Sequence, residues 1–255
     1  MKRAGWILVG ALAALAVVSL VWTPYDPLQA NPAARLQGPS WAHWLGTDEL
    51  GRDMASRIMA GARLTLATAL SAVAISALIG IPLGITAGMR RGDKAIMAGA
   101  DLLLAFPALL LAIVFTAVFG ASMWIVVLAI GIAGIPGFVR VARVGTLQVM
   151  SQDYILAARM AKVPRARIAR RHVLPNIAHL LTTQASVALA LAILAEAGLS
   201  FLGLGAPAPY ASWGRMLQAS QPFLATAPHL ALWPGLAIAL TVLGFNLIGG
   251  HRDPR

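Results

Sequence analysis

Long uncharged apolar runs alternate with short polar, basic segments along this chain. Ala4 to Trp22 and Leu64 to Met89 carry no charge, and Leu102 to Val139 is long enough for two crossings with a break near Gly120, Ala121 and Ser122. Val173 to Ala195 supplies a fifth run, and the region from roughly Pro228 to Gly249 a sixth. A hydrocarbon core about 30 Å thick needs about 20 apolar residues in a helix, at about 1.5 Å of rise each. The pattern therefore predicts an all-α membrane protein with six transmembrane helices. Residues 1–22 form the first helix, and 23–61 an external segment with an interfacial helix. Residues 62–249 form a five-helix core, with a cytoplasmic segment at 151–175 and an external loop at 199–227, and 250–255 are a tail.

Composition supports the membrane reading. Of 255 residues, 59% belong to the set AVILMFWYC and only 11% are charged, more apolar surface than a soluble core requires. The absence of cysteine excludes disulfides, thiolate metal sites and cysteine nucleophiles. The net charge of +11 raises the question of nucleic acid, which the placement of the charges answers. With the N-terminus in the cytoplasm, the inner segments hold Lys2, Arg3, Arg90, Arg91, Lys94, eight basic residues from Arg140 to Arg171, Arg252 and Arg255. Only Arg35, Arg52, Arg57, Arg63 and Arg215 remain outside. Because basic residues stay on the cytoplasmic side, both termini are predicted to be cytoplasmic, and the surplus is topological rather than a nucleic-acid footprint. Met1-Lys2-Arg3 ahead of an apolar run is also how a signal peptide begins. The run has the length of a span, and small residues for cleavage before Asn31 are poorly placed, so an uncleaved helix is expected.

Within the second run, Ala72, Ser76, Gly80, Gly84 and Gly88 recur every fourth residue. Such a stripe lets helix backbones approach closely, where lipid offers no hydrophobic drive for association. It predicts a helix–helix contact, and Pro82 predicts a kink. Asp101 and Glu196 are the acids inside apolar runs, where a carboxylate needs a partner or water. Asp101, near Lys94 and Arg91, is expected to be a structural ion pair or a helix-start anchor, and Phe106-Pro107 to kink its span. Glu196, with Ser200 and Phe201, has two readings: a gate on a translocation path, or an acceptor for backbone N–H groups of a glycine-rich turn or a partner of Arg215. Outside, Thr47 is expected to cap a helix with an Asp53–Arg57 ion pair, Met54 and Ile58 facing lipid and a solvated cluster of charges. Leu202 to Pro209 reads as an external loop or re-entrant hairpin.

The polar segment Gln152 to Asn176 reads QDYILAARMAKVPRARIARRHVLPN. Ser151 or Asp153 can cap a helix through Ile155, Ala158, Arg159 and Lys162. Pro164 then forces a turn, and a second short helix is expected over Arg165 to His172. From composition, the segment is either a knob that docks on another protein or a basic stretch resting on anionic lipid.

It resembles the signature loop of ATP-binding-cassette importer permeases, E-A-A, three residues, G, nine residues, then I-x-L-P. Ala157, Ala158, Leu174 and Pro175 fit the pattern, while Leu156 stands in place of Glu, Lys162 in place of Gly and His172 in place of Ile. Trp44 to Leu66, Asp101 to Ile113, Ala195 to Pro209, Ser212 to Leu217 and Trp233 to Gly249 are likewise similar to segments of the dipeptide, oligopeptide and nickel permease family, in its C-type subunit. The resemblance covers nearly the whole chain. It implies a type I ABC importer permease fold and half of a translocation path for dipeptides or other short peptides. It also implies a paralogous permease subunit, two cytosolic ABC ATPase subunits and an extracytoplasmic substrate-binding protein as partners, in a bacterial or archaeal cell (inner) membrane. The coupling residues it implies are Asp153, Tyr154, Ala157, Ala158, Arg159, Lys162, Pro164, Arg165, Arg167, Leu174 and Pro175.

No Gly-Lys dipeptide exists to build a phosphate-binding loop, so ATP is expected on the partner subunits and this chain is expected to carry no cofactor and to be no enzyme. The five histidines offer no metal-ligand spacing. Leu202 occupies the place of the second glycine in G-x-S-x-G, which argues against a serine hydrolase. Import of nickel, a metal chelate or haem is the alternative cargo, and a self-contained secondary transporter or channel the alternative class.

Overall fold

The computed structural model describes residues 2–89, 93–205, 207 and 209–250. Among these, every regular element is helical and the one β-bridge joins Thr47 to Asp53. In chain order the α-helices are α1 (Lys2–Val18), α2 (Met54–Met89), α3 (Lys94–Ala105), α4 (Ala108–Phe119), α5 (Met123–Met150), α6 (Asp153–Met160), α7 (Arg165–Ile168), α8 (Leu174–Phe201), α9 (Trp213–Ser220) and α10 (His229–Gly249). A π-helical turn, Ala169–Val173, joins α7 to α8.

Four helical stretches are long and apolar enough to cross a bilayer: Met54–Met89, Met123–Met150, Arg165–Phe201 and His229–Gly249. The third predicted span bends at the expected place, Phe106-Pro107. Phe106 is extended and Pro107 withholds an N–H, so α3 and α4 meet at 82° as a broken pair. Each has 12 residues, about 18 Å, too short to cross alone. The predicted break after α4 is present: Gly120 has φ +86°, and Ser122 Oγ accepts from Ile125 N–H at 3.2 Å to start α5. The first helix has 17 residues, its outward side chains Trp6, Ile7 and Val17 are exposed, and its Gly5 crosses Gly244 of α10.

No separate interfacial helix precedes the second span, because α2 runs unbroken for 36 residues from Met54 and continues through Pro82. Met54 is buried rather than lipid-facing. The cap is Asp53, not Thr47: its Oδ2 accepts from both the N–H and the hydroxyl of Ser56 at 2.8 Å. Thr47 instead bridges Ala34 and Gln37 within the segment that precedes α2. Arg57 pairs with Asp48 at 3.3 Å, leaving Asp53 to His43 at 2.9 Å, so the expected Asp53–Arg57 pair does not form. Nor is the cluster solvated, since Asp48, Asp53 and Arg57 are each at most 4% exposed.

The glycine stripe of α2 lies against α5. A Cβ added at Gly80 would meet Phe138 Cβ at 2.7 Å, one at Gly84 Ala142 Cβ at 2.7 Å, and one at Gly88 Thr146 Cβ at 2.6 Å. Ser76 Oγ donates to Gly131 O at 2.6 Å across the same seam. With hydrogen as side chain at each crossing, the two backbones close to van der Waals contact.

Candidate functional site: the inner segment and the polar faces of the bundle

The basic segment from Gln152 to Asn176 is built on a small apolar base. Ile155 of α6, Ile168 of α7, Val173 and Ile177 are buried against Ile85, Ala142, Val149 and Leu181 of the spanning helices. That base fixes α6 and α7 to the bundle and turns their polar faces outward. Asp153, Tyr154, Ala157, Arg159, Lys162, Pro164, Arg165, Arg167, Leu174 and Pro175 are exposed, and Ala158 is half-buried. Neither expected cap forms. The first turn of α6 begins with Asp153 itself, and Ser151 Oγ donates back to Gln148 O. The arginine-rich stretch does not end at His172, because α7 passes through the π-helical turn into α8 as one continuous 37-residue stretch, Arg165–Phe201. A push on α7 is thereby a push on a spanning helix.

The turn after α6 stops the helix at Met160, short of Lys162. Lys162 N–H donates to Arg159 O at 2.9 Å and Val163 N–H to Ala158 O at 3.1 Å, a paired closure that requires a left-handed residue. Lys162 takes that role with φ +54°, at the position where the signature loop has glycine. A side chain with Cβ costs about 1 kcal/mol there, and the paired hydrogen bonds hold the conformation.

Glu196 sits in the last two turns of α8, 3% exposed, in continuous helix rather than a glycine-rich turn. Its Oε1 accepts from Ser200 Oγ at 2.6 Å, and Arg215 is not its partner. Phe201 ends the helix, partly exposed, and Ser200 is fully buried. Beside them, Trp213 is completely buried and donates from Nε1 to Ile58 O at 3.0 Å, while Gly214 packs on Ala197. This wedge of α9 between α2 and α8 escapes periodicity, since one tryptophan after a polar loop has no pattern to betray its burial.

Asp101 does not pair with Lys94, and Arg91 lies outside the described residues, as do Arg90 and the tail from His251 to Arg255. Its partner is Arg140 of α5, whose Nη2 donates to Asp101 Oδ1 at 2.7 Å. Arg140 and Arg143 belong to α5 rather than to an inner loop, so two of the basic residues counted as cytoplasmic stand within a helix.

Residues 80–250 match the family described as binding-protein-dependent transport system inner membrane component. The chain belongs to this family. This permease is 41% identical over 98% of its length to the dipeptide transport system permease protein DppC of Alkalihalophilus pseudofirmus, covering 83% of that protein. It is 42% identical, again over 98% of its length and 84% of the relative, to the glutathione transport system permease protein GsiD of Pectobacterium atrosepticum. The nickel transport system permease protein NikC of Escherichia coli is 34% identical over 99% of this chain and 93% of its own length. In fold, the permease is similar to the inward-facing MetNI methionine ABC transporter, with TM-score 0.61 and 17% identity over 72% of this chain and 89% of that one. It is a membrane component of a transport system, not itself an enzyme.

Proposed function

We propose that this permease forms half of the translocation path of an ATP-driven importer for dipeptides and other short peptides. The observation that carries the reading is the near full-length identity with permeases named for dipeptide and glutathione transport. On this reading the chain crosses the membrane six times: α1, α2, the α3–α4 pair, α5, α8 and α10, with both termini in the cytoplasm of a bacterial cell. A paralogous permease completes the path, an extracytoplasmic binding protein delivers the solute, and two cytosolic ATPases dock on α6 and α7. Closure of the ATPases moves the segment from Asp153 to Pro175, and the continuity of α7 with α8 carries that displacement into the path, biasing two global states. The seam at Ser76, Gly80, Gly84 and Gly88 keeps α2 and α5 moving as one body, while Glu196, Ser200 and Phe201 stand at the outer gate.

The NikC relative supports nickel as the second cargo. Among the described residues no group of His and acidic side chains is arranged to hold a metal ion, and passage of a cargo requires no such resident site. Uptake of labelled dipeptide and of nickel by cells with and without the intact importer separates the two. Reversing the charges with Arg165→Glu and Arg167→Glu is expected to abolish uptake while the protein still inserts and ATP is still hydrolysed. Unchanged uptake overturns the docking assignment, and capture of the permease from native membranes with no ATPase attached overturns the importer reading.

A further inference from the structure

The helical stretch Arg165–Phe201 carries one residue more than an α-helix of the same packing would hold. Ile168 and Val173, both buried in the apolar base of the basic segment, are five positions apart, whereas Val173, Ile177 and Leu181 follow at steps of four. At about 100° per residue, an α-helix comes within about 40° of the same face after four residues and misses it by about 140° after five. An unbroken α-helix through this stretch would turn Ile168 about 180° away from Ile177 and out of the base.

The π-helical turn Ala169–Val173 removes that conflict. Leu174 N–H donates to Ala169 O, a bond spanning five residues that stacks residue i+5 over residue i. The added residue goes outward: Arg170 and Arg171 are exposed, and His172 is half-buried. Pro175 gives the turn a local cause, since it offers no N–H to Arg171 O and its ring would crowd that carbonyl in an α-helix. Asn176 Nδ2 adds a side-chain bond to His172 O at 2.6 Å. The five-residue step and the proline thus place the same extra residue at the same point.

We infer that this π turn is a register element that fixes the rotational phase of α7 on α8, holding Ile168 in the bundle while Arg165 and Arg167 face the docking partner. The second half rests on the docking reading above, and the first does not. A docked surface depends on the angle at which it is presented, and one residue more or less in ordinary helix would swing α7 by about 100° and its arginines with it. The extra residue makes this rod asymmetric toward changes of length. Removing one residue from the turn lets it close as α-helix, with Ile168 and Val173 four apart and the phase kept. Adding one has no such escape and rotates Ile168 off its base.

The test compares a shortened chain, lacking Arg171 and carrying Pro175→Ala to restore the α-helical donor, with a chain lengthened by one alanine after Arg171. Each is made with and without Ile168→Ala, and the denaturation midpoint of the full-length permease is measured in detergent. In the parent and in the shortened chain, Ile168→Ala is expected to lower the midpoint by about 5 °C or more, and in the lengthened chain by less than about 1 °C, because Ile168 has already left the base. An equal cost in the lengthened chain, or none in the shortened one, overturns the register element. Where the lengthened chain does not fold, the shortened one decides: its midpoint is expected to match or exceed that of the parent, and a fall of about 5 °C or more overturns the inference. Function is read in liposomes with the partner permease, ATPases and binding protein. The shortened importer is expected to take up labelled dipeptide at least about tenfold faster than the lengthened one, and equal rates overturn the claim that the partner reads the phase of α7. Failure of the docking reading shows elsewhere, as unchanged uptake in the Arg165→Glu, Arg167→Glu importer, and leaves the midpoints as they are.

Discussion

The two ends of the bundle both carry clusters of charge, and they treat it in opposite ways. At the end formed by the segment that precedes α2, Asp48 accepts from the backbone N–H groups of Leu50 and Arg52 at 2.8 and 2.9 Å, and its other oxygen meets Arg52 Nε at 2.7 Å and Arg57 Nε at 3.3 Å. Asp53 is saturated by Ser56 and His43. Every one of these charges is spent inside the chain, fixing Gly46, Gly51 and the entry to α2. At the other end, Arg159, Lys162, Arg165, Arg167, Arg170 and Arg171 point outward, and among the described residues none of them is in an ion pair. Buried, paired charge marks architecture; exposed, unpaired charge of one sign marks a surface kept for something else.

That contrast can be broken by substitution. Asp48→Ala strands Arg57 beside an empty site and leaves Arg52 only Glu49, and loss of one partner of a buried pair is expected to destabilise the fold by about 3–5 kcal/mol, read as a lowered denaturation midpoint of the purified permease in detergent. A midpoint within a degree of the parent would show the outer network to be ornamental. Gly84→Leu drives a side chain into Val139 and Ala142, and overpacking of the α2–α5 seam is expected to cost about 1–3 kcal/mol or to prevent recovery of folded protein. Lys162→Gly relieves the left-handed residue of the α6 turn and is expected to stabilise by about 1 kcal/mol, a small rise in the same midpoint. At the low end, Arg165→Ala with Arg167→Ala is expected to change stability by less than about 0.5 kcal/mol, because both side chains are exposed. The same double variant is expected to lose most ATPase recovered by affinity capture, whereas Lys162→Gly retains it. Stability lost at the inner end, or capture unaffected there, would erase the distinction between the two clusters.

Much of this organisation was legible in the residues. The apolar runs located the long helices, and the spacing of Ala72, Ser76, Gly80, Gly84 and Gly88 marked the face of α2 that the structure sets against α5, since a period of four on a helix is a geometric statement. The proline turn at Pro164 was equally readable, because a missing N–H acts locally. Pairings across the sequence were not. Asp101 lies 39 positions from Arg140, and nothing near either residue names the other. Asp53 and Arg57 have helical spacing, yet Asp53 is spent as the cap and Arg57 turns to Asp48. Lys162 was visible as a departure from glycine, but its φ of +54° depends on two backbone hydrogen bonds that only the folded turn makes.

The sequence by itself determined that this chain is helical, that it lives in a membrane and where its basic residues concentrate, because hydropathy, helical period and charge act over one or two turns. Tertiary structure alone decided which charges are buried and which are offered, and that α7 and α8 are one rod. Those outcomes depend on groups distant along the chain competing for the same partner, and the closest approach in space settles that competition.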